Sequence, residues 1–138
     1  MKVVVSACLL GCNCKYNGGN NDNAAVKAFV EGKEVIPVCP EVLAGLGIPR
    51  TPIEIVNGVV MDREGNCPDQ ALRTAVAQIL DQLQGQEISC AVLQSRSPTC
   101  GVKQVYDGTF SGTRIPGQGI LARALMDAGY QVIDAEDI

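Results

Sequence analysis

The chain contains no histidine and no tryptophan, and only 4% of its 138 residues are aromatic. Without histidine there is no Ser-His-Asp or Cys-His catalysis, no His-ligated zinc site, and no access to the commonest general base. Any chemistry must come from Cys, Asp, Glu, Ser, Tyr, Lys or a cofactor. Positive charge is also scarce, with 11 Lys and Arg against 15 Asp and Glu, a net charge of −4. That balance argues against a general nucleic-acid binder, which needs a basic face for the phosphates, but it leaves room for one nucleotide in a pocket. No apolar run approaches the length of a bilayer span, so no membrane association is expected. The opening Met1-Lys2-Val3-Val4-Val5-Ser6 is too short an apolar run for a signal peptide, which makes a reducing cytoplasm the expected compartment.

What the chain does have is cysteine, seven in all. In a reducing compartment these read as thiols or metal ligands before disulfides, and an odd number cannot pair completely. A hydrophobic content of 46% with 19% charged residues describes one globular domain over residues 1–138.

Strand and helix signals alternate. Lys2 to Ser6 reads as a strand, Ala24 to Glu31 as a helix capped by Asn23, and Glu34 to Val38 as a second strand. A helical turn is expected through Val42 to Leu46. Ile53 to Met61 is expected as a hairpin turning at Asn57-Gly58. The apolar set Leu72, Ala75, Val76, Ile79, Leu80 and Leu83 marks an amphipathic helix that follows Pro68. Ile88 to Leu93 is a buried strand, and Val102 to Phe110 a second hairpin about Asp107-Gly108. Gly119 to Ala128 is helical and Tyr130 to Ile133 a closing strand. This order predicts an α/β, three-layer, Rossmann-like domain: a mostly parallel sheet with one or two added β-hairpins.

Open sheets of this kind bind ligands beyond the carboxyl ends of their strands. Cys8, Cys39 and Cys100 each lie just past such an end. The last sits in Ser95-Arg96-Ser97-Pro98-Thr99-Cys100-Gly101, where Pro98 stiffens the loop and Gly101 permits a sharp turn. Cys90 falls inside a strand and is expected to be buried and inert, and Cys67 has no assigned role. Three remote thiols lack the local pairing of a structural zinc site, although Cys12 or Cys14 are available as a fourth ligand. An iron–sulfur cluster is normally held by four thiolates, and one held by three keeps an open iron, as catalysis needs.

Four segments carry a resemblance: Val5-Ser6-Ala7-Cys8-Leu9-Leu10-Gly11, Pro37-Val38-Cys39-Pro40-Glu41-Val42, Arg96-Ser97-Pro98-Thr99-Cys100-Gly101, and Tyr106-Asp107-Gly108-Thr109-Phe110-Ser111-Gly112. In that order they resemble a bacterial domain family long labelled as of unknown function, whose characterised members are thiouracil desulfidases. The likeness runs from about Lys2 to Ile133. It implies a 4Fe–4S cluster bound by Cys8, Cys39 and Cys100, with Cys14 a second-tier candidate. It also implies non-redox removal of sulfur from 2- or 4-thiouracil-type pyrimidines, with release of sulfide. The substrate is then a small thiolated base, nucleoside or nucleotide.

On that reading Glu41, two residues past Cys39, activates a water. Ser97 hydrogen-bonds the substrate or relays the proton. With no histidine present, a carboxylate is close to the only base available. Plainer roles stand beside these: Glu41 favouring a helix dipole, Ser97 shaping a turn, and Arg96 and Lys15 solvated. Tyr16 and Phe110 read as core packing rather than pyrimidine stacking, and Asp107-Gly108 as turn chemistry. Two other classes compete with the enzyme: a cysteine-based cluster-binding or redox-sensing module using Cys12 and Cys14, and a small zinc-stabilised domain.

Overall fold

The computed structural model describes all residues from Met1 to Ile138. In chain order the elements are β1 (Lys2–Ser6), α1 (Ala24–Val30), β2 (Glu34–Val38), α2 (Pro40–Leu43), β3 (Ile53–Val56), β4 (Val59–Asp62), α3 (Asp69–Leu83), β5 (Ile88–Leu93), β6 (Gln104–Tyr106), β7 (Arg114–Pro116), α4 (Ile120–Asp127) and β8 (Val132–Asp134).

The unbroken valine run of β1 dictates the layering. Val3, Val4 and Val5 are all fully buried, and successive side chains of a strand point to opposite faces, so both faces of the sheet must be covered. Val3 and Val5 pack against Val26 and Val30 of α1. Val4 packs against Val76, Ile79 and Leu83 of α3 and Leu121 and Leu125 of α4. The result is three layers around a four-stranded sheet of order β2-β1-β5-β8, every pairing parallel. Buried Cys90 belongs to the α1 side of this core, as a strand-interior thiol should.

Local signals account for most boundaries. The Asn23 side chain accepts a hydrogen bond from Val26 N at 3.1 Å and starts α1. Two elements begin elsewhere than the sequence pattern suggests. α2 starts at Pro40 rather than Val42, because Cys39 is extended (φ −147°) and Pro40 has the φ that a first helical residue needs. β8 starts at Val132 rather than Tyr130, because the Tyr130 N–H is still engaged by Leu125 O at the end of α4.

The two hairpins behave differently. β3 and β4 pair antiparallel about Asn57-Gly58, with Val56 opposite Val59, as expected. β6 and β7 also pair, with Tyr106 opposite Arg114, but Asp107-Gly108 is not a two-residue turn. A longer loop spans 107–113, because Glu54 Oε1 accepts hydrogen bonds from Gly108 N (3.0 Å) and Phe110 N (3.2 Å) and draws that segment onto β3.

Register sets the site. Ser6 lies opposite Val38 and Val5 opposite Val92, so three adjacent strands end level. β1 leads to α1 on one face and β5 leads to α4 on the other, which opens a crevice at their carboxyl ends. The loop after β5 is then pinned to α4. Ile120 N donates to Pro98 O (3.0 Å) and Leu121 N to Thr99 O (2.8 Å), using helix N-terminal donors that have no partner within the helix.

Two predictions follow from these contacts. A Cβ on Gly119 would lie 2.4 Å from Thr99 C and 2.5 Å from Thr99 O. Gly119→Ala is therefore expected to destabilise the fold by about 3 kcal/mol or more in urea melts, since backbone cannot yield as a flexible side chain would. Asp69 links β4 to α3 by accepting from Val60 N (2.9 Å) and Arg73 Nε (2.8 Å). Burial opposes its ionisation, but those two partners outweigh it and hold the carboxyl below its ordinary value. Its stabilisation is complete above the unfolded-state pKa, about 3.9, and is lost as pH falls through the lower folded value. Asp69→Asn should cost about 1–2 kcal/mol at pH 7, and the gap to the parent should shrink at pH 3.

Candidate active site

The crevice is a cavity of about 510 Å³ that takes in Cys8, Cys39 and Cys100 together. Each thiol reaches it by a different device. Cys8 sits in a 3-10 turn, Ala7–Leu10, closed by Gly11 at φ 93°, and Asn21 Nδ2 donates to its sulfur at 3.4 Å. Cys39 is the N-cap of α2. Cys100 is buried in the loop pinned to α4, with Gly101 N donating to Ser97 O at 2.8 Å. That turn is tight: a Cβ on Gly101 would stand 2.7 Å from Gln104 O.

A fourth thiol shares the wall. Cys14 is buried and lines the same cavity, whereas Cys12 and Cys67 are exposed. Burial pushes the Cys14 thiol up to about 12, with the thiols of Cys39 and Cys8 adding to the effect. Burial likewise pushes Cys100 up to about 12, against the opposing hydroxyls of Ser6 and Thr99. Cys8 is raised by burial as well. Such thiols stay protonated and unreactive until a cation draws the proton off. A redox sensor needs the reverse, an accessible low-pKa thiol, whereas Cys14 is buried with its pKa raised.

Spacing bears on the metal. A tetrahedral ion at about 2.3 Å from each sulfur requires sulfurs about 3.8 Å apart. No three Cys, Asp or Glu side chains converge in the manner of a single-ion site. Three thiols from three strands lining one cavity, in a chain with no histidine, are a donor set that suits an iron–sulfur cluster.

Glu41 and Ser97 both reach this cavity. The Glu41 carboxylate is only 14% exposed and forms an ion pair with Arg50, whose side chain is 7% exposed. Arg50 Nε and Nη2 approach Glu41 Oε1 at 3.1 and 3.0 Å. The same guanidinium donates to Cys14 O (2.7 Å) and Gly47 O (3.0 Å). The other carboxylate oxygen, Oε2, accepts from Thr99 Oγ1 at 3.1 Å. Ser97 Oγ accepts from Thr99 N and Cys100 N, each at 3.1 Å, so it shapes the loop as its plainer reading requires, and it also contacts Thr99 Oγ1 at 2.9 Å.

Arg50 and Thr99 were invisible as site residues in the sequence. Arg50 follows a Gly-Pro-rich turn with no chemical signature, and only the fold carries it 36 residues back to Cys14. Thr99 lies in the Arg96-Ser97-Pro98-Thr99-Cys100-Gly101 segment beside Cys100, and its hydroxyl in a histidine-free chain is the available signal.

Three further residues of the cavity lining depart from the sequence expectations. Phe110 is not core: it lines the cavity with Tyr106 and Arg63, at φ 57°, and the Arg63 guanidinium lies 5.9 Å from its ring. Tyr16 is not core either, being 43% exposed at the cavity. Arg96 is not merely solvated, since Nη2 donates to both carboxylate oxygens of Glu136 at 2.8 and 2.9 Å. Lys15 also borders the cavity. No helix is long and apolar enough to cross a membrane.

Comparison with known proteins adds to this geometry. The uncharacterized protein YbbK of Bacillus subtilis (strain 168) is 32% identical over 146 residues, spanning 99% of this chain and 97% of that protein. A solved structure, that of the [4Fe-4S]-dependent thiouracil desulfidase TudS, superposes with a TM-score of 0.92 at 30% identity, covering 99% of this chain and 92% of TudS. The family model for 2-thiouracil desulfurase matches residues 3–137. With nearly the whole chain matched, it belongs to the 2-thiouracil desulfurase family.

Proposed function

We propose that this protein is an iron–sulfur-dependent thiouracil desulfidase. It removes sulfur from a thiolated pyrimidine as sulfide, with no net redox change. The family match and the likeness to TudS support this reading. The observation that carries it is the meeting of Cys8, Cys39 and Cys100, from the ends of three neighbouring parallel strands, in one cavity with a counter-charged carboxylate. In this reading those three thiols hold a 4Fe–4S cluster. Burial raises the thiol pKa of Cys8 and Cys100, which fits ligands that release protons on binding metal. When bound, a cluster with one open iron supplies Lewis acidity toward the thiocarbonyl sulfur.

The chain's own groups supply the remainder. Glu41 is the final acceptor of the proton lost by the attacking water, and Arg50 fixes the carboxylate's orientation and balances its charge. Ser97 contacts the substrate and handles the proton. Phe110 and Tyr106, which line the same cavity, offer aromatic faces for a pyrimidine. The substrate class is a small thiolated base, nucleoside or nucleotide. Residues 1–138 act as one cytoplasmic domain, without bulk nucleic acid or membrane as partner; the acidic net charge of −4 supports the first exclusion.

Anaerobically prepared protein should release sulfide from 2- or 4-thiouracil and yield the oxygenated base. Glu41→Gln should keep the parent's iron and acid-labile sulfide content while turnover falls about 10²- to 10⁴-fold. Cys8→Ser, Cys39→Ser and Cys100→Ser should each abolish the cluster content itself. Full turnover by Glu41→Gln would remove the carboxylate from the chemistry. A colourless protein with one tight zinc would remove the cluster.

A further inference from the structure

We infer that Glu54 is a specificity-determining residue whose free carboxylate oxygen accepts the N3–H of the substrate's pyrimidine ring. The inference rests on the proposed desulfidase reading and says what that site recognises. Two carboxylates line the cavity, Glu41 and Glu54. Both oxygens of Glu41 are engaged, Oε1 by Arg50 and Oε2 by Thr99. Glu54 is placed differently. Its Oε1 accepts from Gly108 N at 3.0 Å and from Phe110 N at 3.2 Å, which fills both lone pairs on that side. Its Oε2 accepts from no group in the chain, and Glu54 joins no ion pair although Lys15 and Arg63 line the same cavity. Nor is that oxygen sealed in protein, since the one buried polar side-chain atom without a partner is Arg96 Nε. A carboxylate that is merely solvated turns freely. This one is fixed by two backbone donors and keeps one strong acceptor open.

The same tether places an aromatic ring beside it. Phe110 is held at φ 57°, a backbone conformation that a phenylalanine adopts only under constraint, and it lines the cavity. Gly108 lets its loop seat closely on β3, where a Cβ would stand 2.6 Å from Ile55 O. A flat heteroaromatic ring is recognised through two handles, a face to stack on and a polar partner at its edge.

The acceptor decides which edge. A carboxylate has no proton to give, so it cannot serve the ring's oxygen or sulfur and selects an N–H. In a thiolated uracil joined to ribose through N1, the only ring N–H is at N3. N3 stands between C2 and C4, so a single contact there serves a substrate with sulfur on either carbon.

Glu54→Gln is close to isosteric: its amide oxygen keeps the tether, and its NH2 group takes the place of Oε2 and sets a donor against a donor. With 4-thiouridine, KM should rise about 10- to 100-fold while kcat stays within about threefold. 3-Methyl-4-thiouridine keeps the thiocarbonyl and lacks the N–H. On that exchange the parent should lose about tenfold or more in kcat/KM and Glu54→Gln less than about threefold, because its contact is already gone. Unchanged Gly108 and Phe110 amide resonances in Glu54→Gln would show the tether intact. Equal losses on N-methylation in the two proteins overturn the inference. So does a Glu54→Gln effect seen with 4-thiouridine but absent with 4-thiouracil, which marks a ribose contact instead. A readout without turnover is the imino proton of 15N-labelled uridine bound to the cluster-loaded protein, which should be protected from exchange by the parent and not by Glu54→Gln. If Glu54→Gln disturbs the two loop amides, the parent's loss on N-methylation and its protected imino proton decide alone, and the absence of either overturns the inference. A parent that releases sulfide equally from both nucleosides ends this inference and leaves the desulfidase reading standing. A parent that releases none from any thiouracil ends that reading, and the imino proton alone then decides the acceptor.

Discussion

Everything at the site depends on the in-register parallel pairing of β2, β1 and β5. Because Ser6, Val38 and Leu93 end at one level, side chains far apart in the chain arrive at one edge of the sheet. The core enforces that register. Val4 must face α3 and α4 while Val3 and Val5 face α1, and a slip of one residue would turn each side chain to the wrong layer. Burial of aliphatic side chains thus sets the position of the thiols, and Cys100 is itself part of the core on the α3 and α4 side.

The polar side of the cavity is built on the opposite principle. Glu41 and Arg50 are both largely buried, a costly arrangement unless each charge has its partner and further hydrogen bonds. Arg50 meets that condition through Glu41, Cys14 O and Gly47 O, and Glu41 through Arg50 and Thr99. The network ties the loop of Cys14, the turn after α2 and the loop of Cys100 into one rim. Position and charge of the proposed base are consequently inseparable from the placement of two of the thiols.

How much of this was legible in the sequence follows from how local each signal is. The valine run, the Asn23 cap, Asn57-Gly58 and the stripe from Leu72 to Leu83 act over a few residues and gave correct elements. The three strand-end thiols were legible because strand and helix alternate, and that order implies parallel strands with a shared edge. The misread loop at Asp107-Gly108 depends on Glu54, more than fifty positions away, and no local pattern announces such a tether. Arg50 was illegible for the same reason. Phe110 and Tyr16 carry no local mark that separates cavity lining from core: three of the five aromatics line the cavity, while Phe29 and Tyr130 pack against the aliphatic core.

The most direct measurement is iron-edge anomalous scattering from a crystal of anaerobically prepared protein. The account predicts a compact polynuclear iron peak inside the cavity, bonded to the sulfurs of Cys8, Cys39 and Cys100 and to no fourth side chain. A single-atom peak at the zinc edge, or iron bound anywhere else on the chain, would contradict it.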